Sequence, residues 1–180
     1  MDALMPLASL PTQISGRNRM WRKIVIDAIR TDPEWKNGNY EKQPRGLRTA
    51  AQMVALMSGN PATRQKAGPT LKAADELFEQ EVARRFKGMD ANDILYAVES
   101  SWDYDPGPGL AKIRAPLVAI NFADDLINPP ELRVLEREIK RVPKGQAILI
   151  PASEETVGHA TQTKAVVWKM HLEKFLKDTK

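Results

Sequence analysis

The sequence predicts an α/β protein, a small set of parallel strands interrupted by one long helical insertion. Two observations lead there. Two short apolar runs each end in a group able to do chemistry: Pro116-Leu117-Val118-Ala119-Ile120 leads into Asp124-Asp125, and Ala147-Ile148-Leu149-Ile150 leads into a polar loop carrying His159. In α/β sheets, ligands and catalytic groups gather beyond the carboxyl ends of strands. In addition, residues 16–103 carry helical periodicity without a strand pattern, far more than the single crossover helix that joins two parallel strands.

Taken in order, Ala3-Leu4-Met5-Pro6-Leu7-Ala8 reads as the first strand. Pro6 weakens it by removing a ladder donor. From Asn18 the apolar residues Met20, Trp21, Ile24, Val25, Ala28 and Ile29 recur at helical spacing, and Pro33 stops the helix. Residues 32–40 form a loop rich in turn residues. A second helix fits Pro44 to Met57, with Leu47, Ala50, Ala51, Val54 and Met57 on one stripe, and Ser58-Gly59-Asn60-Pro61 ends it. A third runs from Pro69 to Phe86, with Leu71, Ala74, Leu77, Phe78 and Val82 inward. A fourth starts at Asp90, a good N-cap residue, and buries Ile94, Leu95 and Val98.

Residues 103–109, rich in Asp, Gly and Pro, mark the return to the strands. The domain reading is therefore a core of 1–15 and 104–180, with a helical cap inserted at 16–103. After the second strand, Asn128 is placed to cap a helix, with Pro129 at its first position and Glu131 two residues on. Its buried stripe would be Leu132, Leu135, Ile139 and Val142. The third strand is Gln146 to Ile150. The last helix, Ala165 to Lys177, would bury Ala165, Trp168, Leu172, Phe175 and Leu176.

Composition narrows the function. The 180 residues carry 27 basic and 23 acidic side chains, a net charge of +4. These charges are interspersed rather than gathered on one face, so no nucleic-acid partner is expected. The chain has no cysteine, which excludes disulfides, thiolate metal sites and a cysteine nucleophile. Its first residues lack a basic segment followed by an apolar run, and no window approaches the roughly 20 apolar residues of a membrane span. A cytoplasmic protein without a membrane partner is the expectation.

The chemistry rests on an acid followed by a histidine. That is the second half of a Ser…Asp…His triad in the chain order of α/β-hydrolases. The acid must accept a hydrogen bond from the imidazole and fix its tautomer. Asp124 and Asp125 both sit where this is possible, and both are also residues that commonly cap turns. His159 lies in a loop beside Gly158, while His171 falls within the last helix beside its apolar stripe. No Gly-x-Ser-x-Gly elbow occurs, and none of Ser9, Ser15, Ser58, Ser100, Ser101 and Ser153 has the small-residue setting of one. There is no zinc, phosphate-loop or dinucleotide motif.

Several stretches resemble a known family. They are Ala28-Ile29-Arg30-Thr31-Asp32-Pro33-Glu34-Trp35 with Gly38-Asn39-Tyr40, Arg85-Phe86 with Asp90-Ala91-Asn92-Asp93-Ile94-Leu95-Tyr96, and Asp125-Leu126-Ile127-Asn128-Pro129-Pro130 with Gly158-His159. In that order they resemble the C-terminal half of the homoserine O-acetyltransferase family and its α/β-hydrolase relatives. The resemblance implies the C-terminal part of an α/β-hydrolase fold, with three parallel strands and a helical cap. It also implies an acyl-enzyme mechanism in which Asp125 and His159 are the triad acid and base, with Asp124 as the alternative acid. The family serine would precede the first strand, so the chain resembles a member truncated after its elbow.

The resemblance further implies a small-molecule acyl donor and acceptor, with acetyl-CoA as the donor and no other cofactor or metal. A homodimer through the cap helices, or self-association at the open edge of the first strand, would follow. Family acetyltransferases carry an aspartate directly after the histidine, where this chain has Ala160. That departure points to an acceptor other than homoserine. The rival expectation is a non-catalytic remnant or a cap-mediated interaction module.

Overall fold

A continuous apolar run suits a parallel strand covered on both faces, and Leu117–Phe122 (β1) is buried at every residue. The computed structural model describes residues 2–179. Among these, the chain forms two compact units, one of residues 2–13, 58–63 and 105–179, the other of residues 14–57 and 64–104.

In the first unit β1 pairs in parallel with Gly145–Ile150 (β2), in a register running from Leu117 opposite Gly145 to Phe122 opposite Ile150. On the other side of β1 lies the N-terminal stretch. Leu4 N donates to Pro116 O (2.9 Å), Val118 N to Leu4 O (3.0 Å), Ile120 N to Pro6 O (3.0 Å) and Ala8 N to Ile120 O (2.8 Å). The three expected strands are thus side by side, with β1 central. The first is held as two parallel bridges, Leu4 to Leu117 and Leu7 to Ile120, rather than as a continuous strand. Pro6 is the reason. Its missing N–H falls where the ladder would next donate to β1. Ala8 then turns the chain with a left-handed φ of 48°.

Successive β1 side chains point to opposite faces. Val118, Ile120 and Phe122 pack with Ala8 and Phe175, the latter from helix α7 (Ala165–Asp178). Leu117 and Ala119 pack with Leu110 and Val142 on the other face. Ala165 and Leu176, expected inside, are exposed, and Phe175 is the buried residue of α7.

The expected helix after β1 is broken up. A 3-10 turn spans Pro130–Leu132, Arg133 is left-handed (φ 53°), and the α-helix proper is only Val134–Glu138 (α6), followed by a 3-10 turn at Ile139–Arg141. Pro130 disfavours helical backbone at Pro129, which is extended at φ −64° and ψ 128°. Asn128 does not cap a helix. Its side chain instead donates to Ala8 O at 2.6 Å. Leu132 is exposed as a result.

The second unit is helical. It contains α1 (Gly16–Arg30), α2 (Gly46–Met57), α4 (Leu71–Lys87) and α5 (Ala91–Glu99). A short helix, α3 (Pro61–Ala67), lies where the sequence suggested only a turn, its first three residues belonging to the first unit and the rest to the second. Asn60 starts it by accepting from Ala62 N and Thr63 N, and Pro61 occupies the first helical position. The buried face of α1 is Trp21, Val25, Ile26 and Ile29, while Met20 and Ile24 are exposed. Leu71 and Ala74 of α4 are also exposed, and Val82 is the buried residue of that helix.

Two aspartates organise this unit. Asp32 Oδ1 accepts from Glu34 N and its Oδ2 from Gly46 N at 2.6 Å, at the start of α2. Asp90 caps α5 through Asn92 N and Asp93 N, and also accepts from Tyr40 Oη (2.7 Å) and Gln43 Nε2 (2.6 Å). Asn92 in turn accepts from Trp35 Nε1 and donates to Gly38 O. The loop at 32–40 and the start of α5 are therefore one hydrogen-bonded network. Among the described residues no helix is long and apolar enough to cross a membrane.

Two predictions follow from the second unit. A Cβ at Gly46 would lie 1.8 Å from Ala28 O, so G46A must push α1 and α2 apart. Denaturant titration should show a loss of about 3 kcal/mol, the upper range for overpacking. Unchanged stability would contradict the close approach. Hydrogen bonds from Gln43 and then Tyr40 hold the Asp90 carboxyl below its ordinary range. A depressed folded value means that this stabilisation is complete above about pH 4 and is lost as pH falls through the folded value. The mutant D90N, which keeps an N-cap residue, should lose stability less steeply below about pH 4 than the wild type. Equal acid slopes would show that Asp90 does not contribute.

Candidate active site

The site is built where β1 ends. Ala123 N still donates to Ile150 O at 2.9 Å, extending the ladder one residue past Phe122. Asp125 N then donates to Phe122 O (3.1 Å), closing a turn. The Asp125 side chain folds over that turn, and its Oδ1 accepts from Ile127 N (2.8 Å) and Asn128 N (3.0 Å). This leaves Oδ2 pointing to the imidazole, with His159 Nδ1 at 2.9 Å. Asp125 is only 1% exposed, whereas the His159 side chain keeps 22% of its surface open.

The loop that delivers His159 is tied internally. Thr161 N donates to Gly158 O, Val157 N to Thr161 Oγ1 (2.8 Å), and Ser153 N to Thr156 Oγ1 (3.0 Å). Thr156 and Thr161 are both fully buried. Gly158 has φ +64°, and a Cβ there would meet Gly59 O at 2.8 Å. A side chain at this position would be both strained and obstructed.

The two adjacent acids divide the work. Asp125 holds the imidazole. Asp124 Oδ2 accepts from Gly158 N (3.0 Å) and from Asn60 Nδ2. His171 lies within α7, and its side chain makes no hydrogen bond or ion pair among the described residues. Ser9 Oγ donates to Leu7 O, two residues back in the chain. Asn60 and Asn128 went unread as parts of this region. The Asn-Pro signal at 60–61 marks a helix start, but it also reads as a turn, and nothing in the sequence brings it to residue 124.

A carboxylate only accepts hydrogen bonds, so the proton between the pair sits on Nδ1. In the neutral imidazole Nε2 then presents its lone pair, and it makes no hydrogen bond among the described residues. Such a pair has the chemistry needed for a base held by an orienting acid. Those residues hold no group of three side chains suited to a metal ion.

No family model matches the chain. Individual relatives do. A homoserine O-succinyltransferase of Alkalilimnicola ehrlichii is 29% identical over 156 residues, covering 72% of this chain and 40% of that protein. A homoserine O-acetyltransferase of Geotalea daltonii is 30% identical over 140 residues, covering 65% of this chain and 38% of that protein. Among solved structures, a homoserine O-acetyltransferase from Bacillus anthracis superposes with a TM-score of 0.80 at 20% identity, covering 98% of this chain and 53% of that one. Esterase E22 superposes with a TM-score of 0.82 at 18% identity, covering 98% and 54%. The chain spans about 40% of the length of the curated relatives it matches. In sequence and in fold, it resembles the C-terminal part of the homoserine O-acyltransferases and of related α/β-hydrolase-fold proteins.

Proposed function

We propose that this chain carries the acid and the base of an acyl-transfer site that works through a serine acyl-enzyme. The observation that supports this most is the 2.9 Å contact between Asp125 Oδ2 and His159 Nδ1 at the strand ends, with Nε2 left unbonded. In this reading His159 Nε2 takes the proton of a serine hydroxyl as its oxygen bonds to the acyl carbonyl carbon. The bond from that carbon to the leaving alcohol or thiol then breaks, and the proton passes to the leaving group. An acceptor hydroxyl or water repeats the sequence in the second half, releasing the serine. Asp125 holds the ring in the required tautomer and stabilises the imidazolium.

The 180 residues contain no Gly-x-Ser-x-Gly elbow. The nucleophile of this reading is therefore a serine contributed from outside them. The substrate class is an acyl ester or thioester, with acetyl-CoA the donor that the resemblance suggests. Ala160 after the histidine places no charge beside the base for an amino-acid acceptor. An uncharged alcohol, or water, suits the site better than homoserine.

A fluorophosphonate probe tests the reading. The chain alone should show no labelled serine. Mixed with a polypeptide that carries the elbow and the remaining strands of the fold, it should promote labelling of the elbow serine. Replacing His159 by Ala should slow that labelling by about three orders of magnitude. Stoichiometric labelling of Ser9 or another serine of this chain would overturn the assignment. So would labelling indifferent to His159→Ala.

A further inference from the structure

We propose that Asn60 and Asp124 are positioning residues for His159, forming a latch that fixes the backbone of its loop at Gly158. The proposal rests on reading His159 as the base and adds to it the means by which the base is held. Three pieces of chain converge here, all within one compact unit: residues 58–63, the end of β1, and the loop carrying His159. The latch has one centre. Asp124 Oδ2 accepts both Gly158 N and Asn60 Nδ2, while Asp124 Oδ1 is buried and has no partner among the described residues. Both donors therefore depend on a single oxygen.

The fit around it is close. Gly158 lies near Gly59 O and Asp124 O, with no space for a Cβ, and its φ is +64°. Asn60 is 6% exposed. Its two side-chain ends have separate tasks. Oδ1 starts α3 by accepting from Ala62 and Thr63. Nδ2, which α3 does not need, goes to Asp124. Two adjacent acids thus hold two adjacent residues, Asp124 the backbone of Gly158 and Asp125 the ring of His159. A donor bond to a carboxylate is stronger than one between neutral groups, so the loop is clamped at the residue before the base.

The alternative is that Asn60 serves only as the cap of α3. The isosteric variant N60D separates the two roles, because aspartate caps as well as asparagine but sets a second carboxylate against Asp124. The measurements are hydrogen exchange of the Gly158 amide and the His159 ring N–H proton resonance, in the intact chain. In N60D, Gly158 should exchange about tenfold faster or more, and the ring proton signal should be lost. D124N, which keeps one acceptor oxygen for both donors but loses the charge that strengthens the bonds, should speed Gly158 exchange less than N60D does. Unchanged Gly158 exchange in N60D would reduce Asn60 to a helix cap and overturn the latch. Equal acceleration at the Ile120 amide in β1 would also overturn it, by showing that Asn60 supports the whole unit. D125N separates this proposal from the acid–base reading. It should abolish the ring proton signal while leaving Gly158 protected. A ring proton that survives in D125N would count against the acid–base reading and leave the latch standing.

Discussion

The Asp125 carboxylate ties the strand end, the turn after it and the histidine loop to one another. Oδ1 closes the turn through Ile127 and Asn128, and Oδ2 meets His159. Asp125 stands just past the end of β1, a fully buried strand whose last residue, Phe122, pairs with Ile150 of β2. The geometry pairs Asp125 rather than Asp124 with His159. One residue along the chain redirects the side chain, and Asp124 faces the Gly158 amide instead. A buried carboxylate with unsatisfied oxygens would cost several kcal/mol. Here both oxygens of Asp125 are used.

Much of the fold was legible because strong local patterns agree with the tertiary structure. The strands expected at 116–120 and 146–150 are found at Leu117–Phe122 and Gly145–Ile150, and Asp90 caps its helix as its residue type suggests. The failures come where backbone chemistry competes with periodicity. Pro6 left the first strand as bridges, and Pro130 with a left-handed Arg133 broke the helix after β1. The helical faces were misread by a fraction of a turn. Met20 and Ile24 are exposed and Ile26 is buried, because periodicity locates an apolar stripe but not the neighbour that covers it.

The candidate site was legible in part. Asp125 and His159 could be named from strand ends and chain order, but the choice between adjacent acids depends on a turn geometry that spacing does not encode. Asn60 was invisible for a different reason. Its partner lies 64 residues away, and the sequence marks only its local task at the start of α3. The residues that carry the family resemblance divide likewise. Asp32, Trp35, Gly38, Tyr40, Asp90 and Asn92 bond to one another or to nearby backbone inside the helical unit. These bonds serve the structure of that unit and do not involve Asp125 or His159.

A single proton distinguishes base chemistry from a merely structural contact. If Asp125 orients His159 for base chemistry, that proton must sit on Nδ1, with Nε2 unprotonated and open. Nitrogen NMR of the ring of His159 at a pH where it is neutral reads the tautomer directly. The account predicts the Nδ1–H tautomer in the wild-type chain and its loss in D125N. A neutral ring carrying its proton on Nε2, or a tautomer indifferent to D125N, would contradict it.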